Sequence, residues 1–136
     1  MGFTDDTKVK LANGTDALIR HINVGDKILC YNETADVAEE VVYIQTPIYQ
    51  STYAVMCVDN KNQKHVIYTT LNQQLLTDGG ECIAVDDIKI GTILKFVGKV
   101  IAIVISGERK TYNIQTTGDN KYYVNNYVAQ GVYAKE

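Results

Sequence analysis

The chain has 136 residues, with 13 Lys and Arg against 16 Asp and Glu, a formal net charge of −3 and a pI near 5.3. A chain of this size can bury one core without a disulfide or metal staple, so a single domain over 1–136 is expected. The acidic balance, with no basic cluster beyond Arg109-Lys110, argues against nucleic acid as a partner, and no run approaches the ~18 apolar residues of a membrane span.

In chain order, the opening Met1-Gly2-Phe3-Thr4-Asp5-Asp6 is too acidic for a signal peptide, which predicts a soluble protein inside a cell or in a viral particle. β-branched and aromatic residues then fill short segments separated by Gly, Asn and Asp, the pattern of an all-β chain. Strands are predicted at 7–12, 17–22, 27–32, 37–49, 51–59, 64–70, 81–85, 92–106, 109–117 and 121–129. Asn13-Gly14 and Asp78-Gly79 are turn signals. Asp59-Asn60-Lys61-Asn62 and Ser106-Gly107-Glu108-Arg109 read as the ends of long hairpins. Pro47, the lone proline, predicts a bend or an edge. The unbroken apolar run Val100-Ile101-Ala102-Ile103-Val104-Ile105 suits a strand buried on both faces, its β-branching favouring strand over helix.

One phrase occurs twice. The stretch Gly14-Thr15-Asp16-Ala17-Leu18-Ile19-Arg20-His21-Ile22-Asn23-Val24-Gly25 returns as Gly80-Glu81-Cys82-Ile83-Ala84-Val85-Asp86-Asp87-Ile88-Lys89-Ile90-Gly91, at a constant offset of 66 residues. Each copy joins a glycine turn, a short apolar stretch and an Ile-x-Val/Ile-Gly bend, which predicts two related β halves.

Isolated reactive residues are few. Cys30, Cys57 and Cys82 are odd in number, far apart and set in apolar runs, so buried reduced thiols are expected. His21 and His65 lack partners at metal-ligand spacing, and neither a metal nor another cofactor nor a small-molecule substrate is implied. The acidic pairs Asp5-Asp6, Glu39-Glu40 and Asp86-Asp87 would point to opposite faces of a strand and suit solvated edges. Tyrosines crowd the C-terminal part. They can pack across a sheet or, combining apolar area with a polar tip, form a protein-binding surface; Tyr122, Tyr123, Tyr127 and Tyr133 are the candidates for it.

Four blocks in order carry a resemblance: Gly2-Phe3-Thr4-Asp5-Asp6-Thr7-Lys8-Val9; Ile22-Asn23-Val24-Gly25-Asp26-Lys27-Ile28-Leu29; Thr70-Leu71-Asn72-Gln73-Gln74-Leu75-Leu76-Thr77-Asp78-Gly79; and Thr111-Tyr112-Asn113-Ile114 with Tyr123-Val124-Asn125-Asn126-Tyr127-Val128. Together with the duplication they resemble the Hint family, the hedgehog and intein self-processing domains, over almost the whole chain. The resemblance implies a flattened, horseshoe-like all-β domain of two related halves, with the chain ends meeting near a central cleft.

It also implies where backbone cleavage would be carried out. A Cys or Ser before the Phe-x-x-x-Thr stretch attacks the preceding carbonyl, and here that position is Gly2. A Thr-x-x-His block supplies a proton to the leaving nitrogen; here it reads Thr70 to Gln73, or Thr69 to Asn72 if the block shifts by one. Asn113 falls in the next matching block. A terminal His-Asn falls on Gln130 and Gly131. The expectation is therefore a non-catalytic structural or interaction module with protein partners, such as a component of a virus or phage particle. The alternative is an intein-like self-processing domain, silenced or separated from its flanking chains; as given, Met1 alone precedes Gly2 and five residues follow Gly131. If the cleft keeps the family's geometry, Gly2→Cys with Gln73→His should partly restore thiol-induced cleavage.

Overall fold

In the computed structural model, residues 1–134 are described. Lys135 and Glu136, the last two residues of the expected domain, lie outside them. The described residues form fourteen β-strands and two short 3-10 turns. Five strands make one sheet in the order β1 (Phe3–Thr4), β7 (Lys64–Thr69), β6 (Ile48–Val58), β11 (Gly98–Tyr112) and β10 (Ile93–Leu94), with β1 also joined to β11. A second sheet runs β12 (Ile114–Thr116), β5 (Val37–Ile44), β4 (Lys27–Cys30), β13 (Lys121–Val124), β14 (Tyr127–Gln130), β8 (Gln74–Leu76) and β9 (Cys82–Ala84). From it branch β2 (Lys8–Lys10), which pairs with β13, and β3 (Asp16–Leu18), which pairs with β2. The described residues contain no helix long and apolar enough to cross a membrane.

The 66-residue repeat folds twice into the same shape. β2, β3 and the 3-10 turn Ile19–His21 recur as β8, β9 and the turn Val85–Asp87. Hydrogen bonds recur with them: Leu11 N–H donates to the Thr15 carbonyl at 2.7 Å, and Thr77 N–H to that of Glu81 at 2.7 Å. Ile22 N–H donates to Ile19 at 3.2 Å, and Ile88 N–H to Val85 at 3.1 Å. In each half a glycine closes the first turn with a left-handed backbone, Gly14 at φ 88° and Gly80 at φ 93°, where a Cβ would be strained. Ile19 and Val85 enter the core, whereas Val24 and Ile90 both stand 63% exposed. The halves part after Ile28 and Leu94. Cys30 continues the strand into the core, but its counterpart Phe96 turns out at φ 68° and stands exposed, so β10 ends at two residues.

Several boundaries differ from those read in the sequence. The predicted strand 17–22 holds only β3 before tightening into a 3-10 turn, and 121–129 is two strands folded at Asn125-Asn126. β1 and β8 escape periodicity because two or three residues carry no alternation. The break before β6 comes at 45–47, with Pro47, and not at residue 50. Ser106-Gly107-Glu108-Arg109 is no hairpin end: β11 runs through it, absorbing an extra residue as a bulge between Ile105 and Gly107. Nor is the run from Val100 to Ile105 buried on both faces. Val100 is buried, but Ile101, Val104 and Ile105 are exposed, since this part of the β6–β11 ribbon extends past the strands that cover its root.

A contiguous core joins both halves, with Phe3, Val9, Ile28, Val55, Leu75, Leu94 and Tyr122 among its members. Cys30 and Cys57 are buried free thiols, and Cys82 is a half-buried one. Burial pushes the Cys30 thiol up to about 12 and raises the other two, which keeps all three protonated at neutral pH.

Candidate functional site

The folding of β1 between β7 and β11 places Gly2 beside Thr69, Thr70 and Tyr112. Its N–H donates to the Thr70 hydroxyl at 3.2 Å, and its carbonyl accepts from the Thr69 hydroxyl at 2.6 Å and from Thr70 N–H at 3.3 Å. The Met1 carbonyl, on the peptide that a nucleophile at position 2 would attack, accepts from Gln45 Nε2 at 3.2 Å. The Thr70 hydroxyl in turn donates to Asn72 Oδ1 at 2.7 Å. At φ 155° Gly2 lies where side chains are rarely tolerated, and an added Cβ would stand 2.7 Å from the Tyr112 carbonyl oxygen. Any residue other than glycine must displace backbone here.

Gln73 is the member of its block that turns inward; it is fully buried while Asn72 is exposed. Its Nε2 donates to the Gln130 carbonyl at 2.9 Å and the Gln74 carbonyl at 3.0 Å, and its Oε1 accepts from Asn113 Nδ2 at 2.9 Å. Asn113 Oδ1 accepts in turn from the Tyr122 hydroxyl at 2.6 Å and from Ile114 N–H at 2.8 Å. The chain of contacts is neutral throughout, and burial drives the Tyr122 phenol well above its ordinary range. No buried side-chain N or O among the described residues lacks a partner. Amide groups, acceptor at one end and donor at the other, suit this position because each end meets its complement without any charge to desolvate.

Gly131 is fixed as firmly. Its N–H donates to the Asn120 carbonyl at 2.8 Å, Val132 N–H donates to Ile114 at 3.0 Å, and Asn120 Nδ2 donates to Val132 at 2.8 Å. A Cβ on Gly131 would stand 2.5 Å from the Ile114 carbonyl oxygen and closer still to Asn120 Oδ1. The Gln130 side chain points the other way, donating to Asn120, Asp119 and Tyr133. Thus Gly2, Thr70, Gln73, Asn113, Gln130 and Gly131 come together around the junction of β11 and β12. Sequence reasoning missed Gln45 and Asn120, whose partners lie 44 and 12 residues away and leave no local signal.

Other expected residues lie elsewhere. Tyr122, Tyr123 and Tyr127 do not form a surface: they are 0%, 9% and 1% exposed because β13 and β14 sit inside the second sheet. Their hydroxyls are engaged, Tyr123 with Asp36 at 2.7 Å and Tyr127 with the Val55 carbonyl at 2.7 Å. Tyr133 alone of the four is exposed. His65 pairs with Asp59 at 2.9 Å across the β6–β7 hairpin, and His21 sits in a 3-10 turn. No group of three or more His, Cys, Asp or Glu able to hold a metal occurs among the described residues. A 590 Å³ cavity bordered by Tyr31, Glu33, Lys95 and Lys121 stands apart from the Gly2–Gln73 cluster.

No protein-family model matches the chain, and no curated protein matches it. Its architecture, however, is that of solved inteins. The Ssp DnaB mini-intein variant superposes with a TM-score of 0.82 at 14% identity, covering 99% of this chain and 96% of that one. A DnaB intein from Synechocystis sp. PCC 6803 gives 0.81 at 15% identity over 97% and 99%, and the gp41-1 intein 0.76 at 20% over 95% and 97%. The chain has the Hint fold, all-β and built of two related halves, as its sequence blocks led one to expect.

Proposed function

We propose that this chain is a non-catalytic Hint-fold module, a structural or interaction subunit with protein partners in a larger assembly such as a virus or phage particle. The observation that carries the reading is the absence of room at Gly2. An acyl shift needs a hydroxyl or thiol carried on a Cβ, and the Tyr112 carbonyl stands 2.7 Å from where that Cβ would be. Gly131 supports it in the same way, since a cyclising Asn needs a side chain where the Ile114 carbonyl sits. Between the two, the group best placed to move a proton is a glutamine amide, which hydrogen-bonds but does not titrate near neutrality.

A second reading, an intein-like self-processing domain that is silenced or parted from its flanking chains, draws on the Met1–Gly2 peptide itself. Its carbonyl is met by the Gln45 amide and its nitrogen by the Thr70 hydroxyl, a setting suited to holding a peptide for attack. Reporter proteins fused to both ends of the chain separate the two. No free reporter is expected by mass spectrometry over days, with or without added thiol, and release of either reporter would overturn the non-catalytic reading. Sedimentation of native source material tests the assembly: a protein recovered only as a small free monomer would count against it.

A further inference from the structure

We propose that β11 pairs edge to edge with β11 of a second copy of this chain, antiparallel across a twofold axis at Val104. One edge of β11 is taken by β6 along almost its whole length. The other is taken by β10 only at Gly98 and Lys99, and by β1 only at Thr111 and Tyr112. Beside β10, Val100 is also occupied, its N–H donating to Thr92 and its carbonyl accepting from Gly91. At the far end Arg109 is held by Asp5 and Asp6 at 3.5 and 3.7 Å. That leaves 101–108 with no strand against it among the described residues.

Strand edges are ordinarily guarded by charge, proline, short length or bulges, and on β11 register shifts between Val100 and Ala102 and between Ile105 and Gly107 leave 102–105 as the regular part of the open edge. This one is uncharged from 101 to 107, and Ile101, Val104 and Ile105 are 43%, 50% and 72% exposed along it. The ribbon's other free edge, on β6 before its pairing with β7 begins at Tyr53, is shorter and carries exposed Ile48 and Tyr49 beside Gln50, Ser51 and Thr52.

A second copy is the occupant because the open stretch is complementary to itself. Centred on Val104, the register sets Val104 against its own copy and Ile103 against Ile105 within the regular stretch, with Ala102 meeting Ser106 at the bulge, and no charge opposes another. Moving the axis to Ile103 would set Ser106 against Val100, whose backbone groups are already bonded. Moving it to Ile105 would set Glu108 against Ala102 and Arg109 against Ile101. The two-copy contact is isologous, as a twofold requires, and covers the open edge of β11 in both copies. So short a stretch makes a contact smaller than the ~800 Å² per partner of a standard interface, so the dimer is weak and reversible.

Sedimentation velocity on the intact chain from about 1 to about 500 μM should show a monomer–dimer equilibrium in that range. Val104→Lys, which places two ammonium groups face to face at an exposed site, should raise the dissociation constant at least about tenfold with an unchanged circular-dichroism spectrum. Mixing Val104→Lys with Val104→Glu should return it to within about threefold of the parent, because only facing residues compensate each other. In the parent chain, amide exchange at 101–107 should slow as concentration rises. A parent chain monomeric throughout, a Val104→Lys dimer of undiminished affinity, a mixture that fails to recover, or exchange independent of concentration would overturn the proposal. None of these readouts depends on whether the chain cleaves itself, so the proposal and the non-catalytic reading fail separately.

Discussion

At position 2 a single carbon decides between two chemistries. The Tyr112 carbonyl fills the place of a Cβ, so Gly2→Ala should cost roughly 1–3 kcal/mol in urea unfolding, from the φ of 155° and the displaced strand together. Gly2→Cys with Gln73→His, a pair that the sequence blocks alone would suggest as a repair, should then unfold more easily and stay uncleaved with thiol; restored cleavage would show the cleft able to open. Gln73 offers a sharper test through pH. In Gln73→Glu the ionised form can only accept hydrogen bonds, yet the Gln130 and Gln74 carbonyls need a donor. Burial raises the folded-state pKa of the new carboxyl above its unfolded value of ~4.3, so this site's contribution is fully present below about pH 4 and is lost as pH rises through the folded value. Urea midpoints of variant and parent should therefore diverge from about pH 4 to about pH 7, and parallel curves would mean the carboxyl finds water. The positions of Gly2, Gln73 and Gly131 were legible through the resemblance of their blocks to the Hint family. Their consequence was not, because the Tyr112 and Ile114 carbonyls that exclude a Cβ reach these glycines only when distant strands pair.

Among the elements, the β13–β14 hairpin shows what local chemistry can and cannot disclose. Asn125 and Asn126 both take positive φ, 48° and 74°, the two-residue turn whose twist matches paired strands. The sequence reads as one strand there because aromatic and β-branched residues flank an Asn-Asn pair that lacks the usual glycine. Asn125 does more than turn: its Oδ1 accepts from Lys8 N–H at 2.8 Å and its Nδ2 donates to the Val66 carbonyl at 3.2 Å, tying β2 and β7 to the hairpin. Asn125→Gly keeps the backbone angle and removes both bonds, so a loss of about 1–2 kcal/mol is expected in thermal unfolding. Asn126→Gly, which relaxes the angle at an exposed site, should be neutral or stabilise by up to about 0.5 kcal/mol. A larger loss at 126 than at 125 would refute this division of roles. The same limit explains the apolar run in β11. Composition marks it as strand, but whether a second layer covers it is a property of the neighbours.

The whole molecule is two copies of one motif that cannot be separated. The repeat predicts equivalent halves, and the recurring turns, bonds and exposed Val24 and Ile90 bear that out, yet pairing runs between the halves more than within them. If the chain is cut at the β6–β7 hairpin tip, 59–63, every sheet draws strands from both pieces. β1 pairs only with β7 and β11, β5 pairs with β12, β2 and β4 each pair with β13, and β6 lies between β7 and β11. The first piece alone would keep the β2–β3 and β4–β5 hairpins, and two-stranded hairpins are marginal in water. The second would keep β10–β11 and the β13–β14–β8–β9 strip but lack Phe3, Val9, Ile28 and Val55 from its core. Neither piece should unfold cooperatively by itself, whereas an equimolar mixture should regain the parent's circular-dichroism spectrum and a single thermal transition. The tip can carry the break because 60–63 are exposed, with the turn bonded largely through Asp59. A cooperative transition in either isolated piece would place the folding unit in one half, and the scaffold would then be two stacked domains sharing a face and not one interlaced sheet system.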